Sequence, residues 1–169
     1  MNTTDHPGAF HVIDAMASGG LRDVVISPGS RNAPLVIACE AHPRIRTTVA
    51  LDERSAAHMA LGMGLKNRIP AAVISTSGTA AINHGPAIAE AAYQCSPLIS
   101  ITADRPVASR GQGLGQTVLQ TKLFEAHALL ELEVDETKMA VDEMRSMASD
   151  AMRVAAKGPV HVNMPFAEP

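Results

Sequence analysis

The chain has 169 residues, 46% of them hydrophobic, and a formal charge of −3 from 17 acidic and 14 basic side chains. With one Tyr, three Phe and no lysine-rich stretch, it offers little for stacking on bases or binding phosphates, which argues against a nucleic-acid partner. Its apolar runs are too short for a membrane span, and its first twenty residues lack the pattern of a secretion signal. We therefore expect one compact domain over residues 1–169.

Two isolated cysteines, Cys39 and Cys95, lie outside any CxxC pair. Each has small or Ala-rich helical surroundings, which suit a buried thiol. This usage predicts a cytoplasmic protein without disulfides.

Apolar, β-branched stretches alternate along the chain with longer stretches rich in Ala, Met and Leu, which is the pattern of strands alternating with helices. In chain order, the predicted elements are a helix at 9–18, a strand at 23–27, a helix at 34–41, a strand at 46–51, a helix at 54–66, a strand at 71–75, a helix from about 80 to 94, a strand at 97–102, a Gly-rich loop at 110–116, a helical segment to about 129, a short strand at 130–134, a helix at 142–156 and a strand at 160–164.

Continuous apolar strands separated by helices predict a mainly parallel sheet, because helical crossovers bury both faces of each strand. With helices on both faces, the expected fold class is α/β, a three-layer α/β/α sandwich. In such a sheet, ligands bind outside the carboxyl ends of the strands.

The chemically distinctive loops all follow predicted strands. Residues 27–32 (SPGSRN) follow the first strand, Asp52 and Glu53 the second, residues 76–79 (TSGT) the third and residues 103–106 (ADRP) the fourth. The connections at the opposite edge are ordinary polar turns. This asymmetry predicts a functional site at one edge of the sheet.

Glu53 begins a predicted helix, where a carboxylate commonly interacts with the helix dipole and has no other role. Its neighbours favour a second interpretation, because Val49, Ala50 and Leu51 precede it and small apolar residues follow. Partly apolar surroundings favour the protonated form of a carboxyl, which can then donate a hydrogen bond. The residues by themselves leave both interpretations open.

The other polar residues of these loops also have two interpretations. Arg31 suits a substrate carboxylate, but it could equally cap a helix or pair with Asp52. Ser30 and Ser77 are most simply helix N-caps. Thr76 opens a loop whose backbone N–H groups can face an anion or a polar ring edge. The seven His show neither HxxxH nor HExxH spacing, so no metal site is predicted within the chain.

Six segments together resemble the N-terminal domain of the 2-succinyl-5-enolpyruvyl-6-hydroxy-3-cyclohexene-1-carboxylate synthases, a family of thiamine-diphosphate enzymes of menaquinone biosynthesis. The segments are 27–34 (SPGSRNAP), 51–62 (LDERSAAHMALG), 75–80 (STSGTA), 97–106 (PLISITADRP), 110–116 (RGQGLGQ) and 158–166 (GPVHVNMPF). The resemblance spans nearly the whole chain and implies the pyrimidine-binding domain of such an enzyme.

The resemblance also implies roles for seven residues. Glu53 would be catalytic, bonding a ring nitrogen of the cofactor's aminopyrimidine and promoting the imino tautomer that activates the cofactor. Pro28 and Thr76 would line the pyrimidine pocket, and the substrate-binding residues would be Ser30, Arg31, Arg105 and Gln116. The implied reaction decarboxylates 2-oxoglutarate and adds the resulting succinyl carbanion equivalent to isochorismate, with the cofactor as electron sink.

Members of the family hold the diphosphate through Mg²⁺ or Mn²⁺ bound by a GDG…N motif in a later domain, and this chain has no such motif. We therefore expect a domain fragment that is inactive alone and is completed within a homo-oligomer, a dimer or a tetramer. Two alternatives stay open: another thiamine-diphosphate decarboxylase or carboligase, such as a relative of acetolactate synthase, and a non-catalytic binding or assembly domain.

Overall fold

A computed structural model of the chain describes residues 6–167. Its strands are β1 (Asp23–Ile26), β2 (Arg46–Val49), β3 (Ala71–Ser75), β4 (Leu98–Asp104), β5 (Leu130–Glu133) and β6 (Val160–Pro165). Its α-helices are α1 (Pro7–Ser18), α2 (Ala33–Glu40), α3 (Glu53–Asn67), α4 (Thr79–Ile82), α5 (Gly85–Gln94) and α6 (Val141–Ala155), and a short 3₁₀ turn covers Val107–Ser109.

The six strands form one sheet in the order β2-β1-β3-β4-β6-β5, and every neighbouring pair is parallel. Strand side chains alternate between the two faces. Val24 and Ile26 face a core that includes α1, α2 and α6, whereas Val25 faces a core that includes α3 and α5. The predicted three-layer α/β/α fold is confirmed.

The direction of winding determines where the loops meet. From β1 the chain steps outward to β2 through α2, then returns past β1 to β3 through α3 on the opposite face. The strand order therefore reverses between β1 and β3, and reversal opens a crevice between the loops at their carboxyl ends.

Two predicted helices differ from the structure. The helix expected from about 80 to 94 is broken between α4 and α5, because buried His84 forms a hydrogen bond of 2.8 Å with Ser100 on β4 and Pro86 has no N–H to continue the ladder. The helical segment expected up to about residue 129 is wrong, since residues 121–127 form successive turns and Lys122 has a positive φ of 57°. A left-handed residue cannot continue a right-handed helix.

The two cysteines, both expected to be buried, differ in exposure. Cys39 is a fully buried residue of α2, and burial raises its pKa to about 12. Cys95 is exposed in a left-handed conformation at the end of α5, so the expectation that it is buried is wrong.

Within residues 6–167, the helices lack the combination of length and apolar character that a bilayer crossing needs.

Candidate functional site

A polar cleft of about 410 Å³ lies at the carboxyl edge of the sheet, where the strand order reverses. The side chains that line it come from the loops after β1, β2, β3 and β4: Pro28, Gly29, Ser30, Arg31, Glu53, Thr76, Ser77, Arg105 and Gln116. All seven residues predicted for the site are in this set, so the structure brings them together. Their individual roles stay predictions.

Close backbone packing joins the loops after β1 and β3. A Cβ atom at Gly29 would lie only 2.6 Å from Cβ of Thr76, so only glycine allows this approach. The loop after β1 is held from below by Asn32, whose Nδ2 donates to the carbonyl of Ser27 at 2.8 Å. These contacts form one wall of the cleft.

The two adjacent carboxylates after β2 have different environments. Asp52 is the N-cap of α3, and its Oδ1 accepts a hydrogen bond of 2.7 Å from the backbone N–H of Ser55. Hydrogen bonding by the side chain of Ser55, and then by its backbone N–H, lowers the pKa of Asp52. Glu53 is the first residue of α3, half-buried and facing the cleft. Its carboxylate has no hydrogen bond or ion pair with any of residues 6–167. The capping role thus falls to Asp52, which leaves Glu53 available to a ligand.

The apolar surroundings expected for Glu53 are only partly present. Val49 is 65% exposed and Leu51 is 82% exposed, whereas Ala56 and Ala57 on α3 are buried. The residues before Glu53 therefore face outward, because β2 is an edge strand with one neighbour.

Both arginines of the cleft are held by main-chain carbonyls. Arg31 is 6% exposed, and its Nη1 donates to the carbonyl of Phe166 at 3.0 Å. Arg105 donates from Nη2 and Nε to the carbonyl of Gly115 at 2.7 and 3.1 Å. These bonds hold two positive charges at the cleft, opposite in sign to Glu53.

The serines are not helix N-caps. The N-cap of α2 is Asn32, and the carbonyl of Ser30 instead accepts from the N–H of Ala33 at 3.1 Å. The N-cap of α4 is Gly78, and the hydroxyl of Ser77 donates to the carbonyl of Gln116 at 3.2 Å. Ser77 therefore holds the Gly-rich loop over the cleft, a contact that the sequence does not indicate.

Beneath the cleft lies a set of interlocked side chains that we call the polar network: Asp104, Arg110, Gln120, Glu133 and Asn163. Arg110 Nη2 lies 2.8 Å from both Asp104 Oδ2 and Glu133 Oε2, and Asn163 Nδ2 donates to Asp104 Oδ2 at 2.9 Å. Burial by itself would raise the pKa of Glu133, but hydrogen bonds from Arg110 and Thr121 lower it below its usual value. The network closes the interior under the Gly-rich loop.

A second cavity, of about 530 Å³, lies away from this edge against α1, α2 and α6. The carboxylate in its lining is already paired: Asp14 contacts Arg145 at 2.8 Å and His42 at 3.5 Å. Although this second cavity is larger, the cleft is the better candidate site, because it gathers the predicted residues at the reversal of the sheet. Among them is Glu53, whose carboxylate has no partner in the described part of the chain.

Comparison with known proteins shows the family of the chain. Residues 6–128 match the family described as thiamine pyrophosphate enzyme, N-terminal TPP binding domain. The chain is 45% identical over 169 residues to the 2-succinyl-5-enolpyruvyl-6-hydroxy-3-cyclohexene-1-carboxylate synthase of Roseiflexus castenholzii, a match that covers 95% of this chain and 29% of the relative. The synthases of Geobacillus kaustophilus and Staphylococcus aureus are 44% and 43% identical over 95% and 89% of the chain. The chain thus spans less than a third of these curated relatives.

Proposed function

Since the chain belongs to the family of N-terminal, TPP-binding domains of thiamine pyrophosphate enzymes, we propose that residues 1–169 form the pyrimidine-binding domain of a thiamine-diphosphate-dependent synthase. The proposed reaction removes CO₂ from 2-oxoglutarate and adds the remaining four-carbon unit to isochorismate. The observation that carries the proposal is the half-buried Glu53, which faces a cleft that the other six residues predicted for the site also line.

The residues of the cleft fit the pyrimidine half of the cofactor. Glu53 has a carboxylate without a partner in residues 6–167, as a group reserved for a ligand's ring nitrogen would have. Pro28 and Thr76 belong to the two loops that Gly29 brings together, and they would hold the faces and edges of the ring. Bound thiamine diphosphate supplies the electron sink that allows a 2-oxo acid to lose CO₂. Glu53 would orient the ring and hold the proton at its nitrogen.

The charges of the cleft fit carboxylate substrates. Both proposed substrates are carboxylates, and an arginine binds a carboxylate through paired, charge-assisted hydrogen bonds. Arg31 and Arg105 bring two guanidinium groups to the cleft, and Ser30 and Gln116 lie beside them with exposed polar side chains. We propose that these four residues bind and orient the substrates.

Other parts of the site would come from outside this chain. Because the chain spans 29% of its relatives' length, we propose that a further domain holds the diphosphate through Mg²⁺ or Mn²⁺. We also propose that a neighbouring subunit of a homo-oligomer supplies this domain, so that the 169-residue chain alone is inactive.

The test is a Glu53→Gln substitution in the protein that carries this chain together with the domains of its relatives. Glutamine keeps the size of the side chain but cannot exchange a proton, so we expect turnover of 2-oxoglutarate with isochorismate to fall by about 10²-fold or more. The control is Asp52→Asn, because asparagine also caps a helix and residue 52 lies outside the cleft. CO₂ release measures turnover, and calorimetry measures cofactor binding.

Near-normal turnover of the Glu53→Gln variant would exclude the catalytic assignment. A parent protein that uses pyruvate in preference to 2-oxoglutarate would instead support a relative of acetolactate synthase. Absence of both activities, with thiamine diphosphate still bound, would support a non-catalytic binding domain.

A further inference from the structure

Gln120 is a completely buried amide that joins three segments beneath the cleft. Its Oε1 accepts a hydrogen bond of 2.9 Å from the backbone N–H of Gly78, at the start of α4. Its Nε2 donates to the carbonyl of Ala103 at 3.0 Å and to Oδ1 of Asn163 at 2.9 Å. The amide therefore ties the stem of the Gly-rich loop to the loop after β3, to the end of β4 and to β6.

The segment held at Gly78 is the one that touches Gln116. Gly78 has a φ of 82°, and a Cβ atom there would lie 2.8 Å from the carbonyl oxygen of Gln116. Ser77, the preceding residue, donates to the same carbonyl. Gln116 itself has a φ of 59°, which a residue with a side chain adopts only when its surroundings hold it there. The position of Gln116 thus depends on the position of residues 77 and 78.

The other stem of the loop is held differently. Arg110 is bound to Asp104 and Glu133, and its Nη1 donates to Thr121 at 3.1 Å. These bonds fasten the loop to the sheet. They do not reach the loop after β3, whereas Gln120 does so directly through Gly78.

We propose that Gln120 is a positioning residue: it sets the distance between the loop after β3 and Gln116, and so shapes the substrate-binding end of the cleft. This inference rests on the proposed function, since Gln116 matters to activity only if it faces substrate. Without the amide, the N–H of Gly78 and the carbonyl of Ala103 would be unpaired in a dry interior, and the loop would move to hydrate them.

The experiment compares Gln120→Leu with Gln94→Leu in the full-length protein. Leucine at 120 keeps the volume and removes all three hydrogen bonds. Gln94 is an exposed residue at the end of α5, before the amino end of β4, whereas the cleft lies at the carboxyl ends of the strands. We expect Gln120→Leu to raise KM for 2-oxoglutarate about tenfold while kcat changes by less than about threefold. We expect Gln94→Leu to match the wild type in both constants.

Amide hydrogen exchange supplies a readout that does not depend on activity. Gln120→Leu should speed exchange in residues 111–119 and leave α1 and α6 unchanged. In the double variant Gln116→Ala with Gln120→Leu, KM should equal that of Gln116→Ala alone, because Gln120 acts through Gln116.

A second variant, Gln120→Glu, guards against a leucine variant that does not fold. A protonated glutamic acid can accept from Gly78 and donate to Ala103 or Asn163, but an ionised one cannot donate. Its KM should therefore approach the wild-type value near pH 5.5 and rise as the pH is raised to about 8.5, relative to the wild-type profile.

Wild-type KM together with unchanged exchange in residues 111–119 for Gln120→Leu would overturn the proposal, as would a Gln120→Glu variant whose KM follows the wild-type pH profile. If the wild-type protein does not turn over 2-oxoglutarate, the proposed function fails, and the exchange measurement still decides whether Gln120 holds the loop.

Discussion

The cleft and the polar network lie at the same edge of the same sheet, yet their polar groups are used in opposite ways. In the cleft, Glu53 has no partner within residues 6–167 and Ser30 and Gln116 are exposed. In the network, Asp104 is fully buried and accepts from Arg110, Asn163 and the backbone N–H of Arg105. Similar side chains thus occur in two arrangements at one edge of the sheet.

This difference separates residues kept for a ligand from residues that hold the structure. A buried carboxylate persists only when several donors replace the water that it has lost. A carboxylate at an open cleft keeps its water until a ligand displaces it. Removal of a buried network carboxylate should therefore affect stability first, and removal of the cleft carboxylate should affect activity first.

The largest expected effect on stability comes from a matched pair of truncations, Asp104→Ala and Glu53→Ala. Loss of the Asp104 carboxylate removes the buried acceptor that Arg110, Asn163 and the backbone N–H of Arg105 share, and we expect the free energy of unfolding to fall by about 3 kcal/mol. Loss of the Glu53 carboxylate should change it by less than about 0.5 kcal/mol, because no partner is left behind. Urea denaturation of the 169-residue chain measures both.

Equal loss of stability in the two alanine variants would break the distinction between cleft and network. An activity measurement in the full-length protein completes the pair. There, Glu53→Ala should be inactive at a temperature at which it remains folded.

The next effect in size concerns His84, a buried side chain between α4 and α5 that is hydrogen-bonded to Ser100 on β4. Burial lowers the pKa of His84 to about 3, with a smaller contribution from the nearby His161, and Nε2 of His84 has no hydrogen-bond partner within residues 6–167. Between pH 6.5 and about 3, His84 binds a proton in the unfolded chain, where its pKa is the ordinary 6.5, but not in the folded chain. Stability is therefore complete above pH 6.5 and is lost as the pH falls towards 3.

Each unit of pH below 6.5 lowers the free energy of unfolding by about 1.4 kcal/mol, so protonation of this histidine in the unfolded chain should lower it by about 2 kcal/mol between pH 6.5 and 5. Urea denaturation at several pH values over that range gives the free energy of unfolding as a function of pH, and its slope should differ between the wild type and His84→Asn. Ser100→Ala serves as the control, because it removes the partner of His84 but leaves the ring buried, so the slope should remain. A His84→Asn variant with the wild-type slope would show that the ring protonates without unfolding.

The fold and the cleft could be predicted from the sequence because their signals are local. Strands β1, β3 and β4 are largely apolar and buried, and three of the four distinctive loops follow them directly. Asp52 and Glu53 follow the edge strand β2 in the same way, so all four loops meet at one edge of a parallel sheet. The strand order did not need to be known, since all carboxyl ends lie at the same edge.

The polar network could not be predicted, because it depends on which strands are neighbours. Asn163 lies inside an apolar strand and Gln120 inside an irregular segment, and neither residue indicates a partner by its position in the sequence. Only the placement of β6 beside β4 brings Asn163 to Asp104. The helix predicted up to about residue 129 was wrong for a related reason: the tertiary hydrogen bonds of Gln120 and Thr121 hold this segment in turns.

The smallest expected effect tests how tightly the cleft itself is packed, through Gly29→Ala and Gly62→Ala. A methyl group at residue 29 would lie 2.6 Å from Thr76 Cβ, so the two loops must move apart, and we expect a loss of about 1–2 kcal/mol. A methyl group at Gly62, within α3, would meet nothing within 4 Å, and alanine favours a helix, so we expect a gain of about 0.5–1 kcal/mol. Urea denaturation compares the two. In the full-length protein, Gly29→Ala should also weaken thiamine-diphosphate binding; unchanged stability and binding would mean that the cleft loops yield readily, unlike the polar network beneath them.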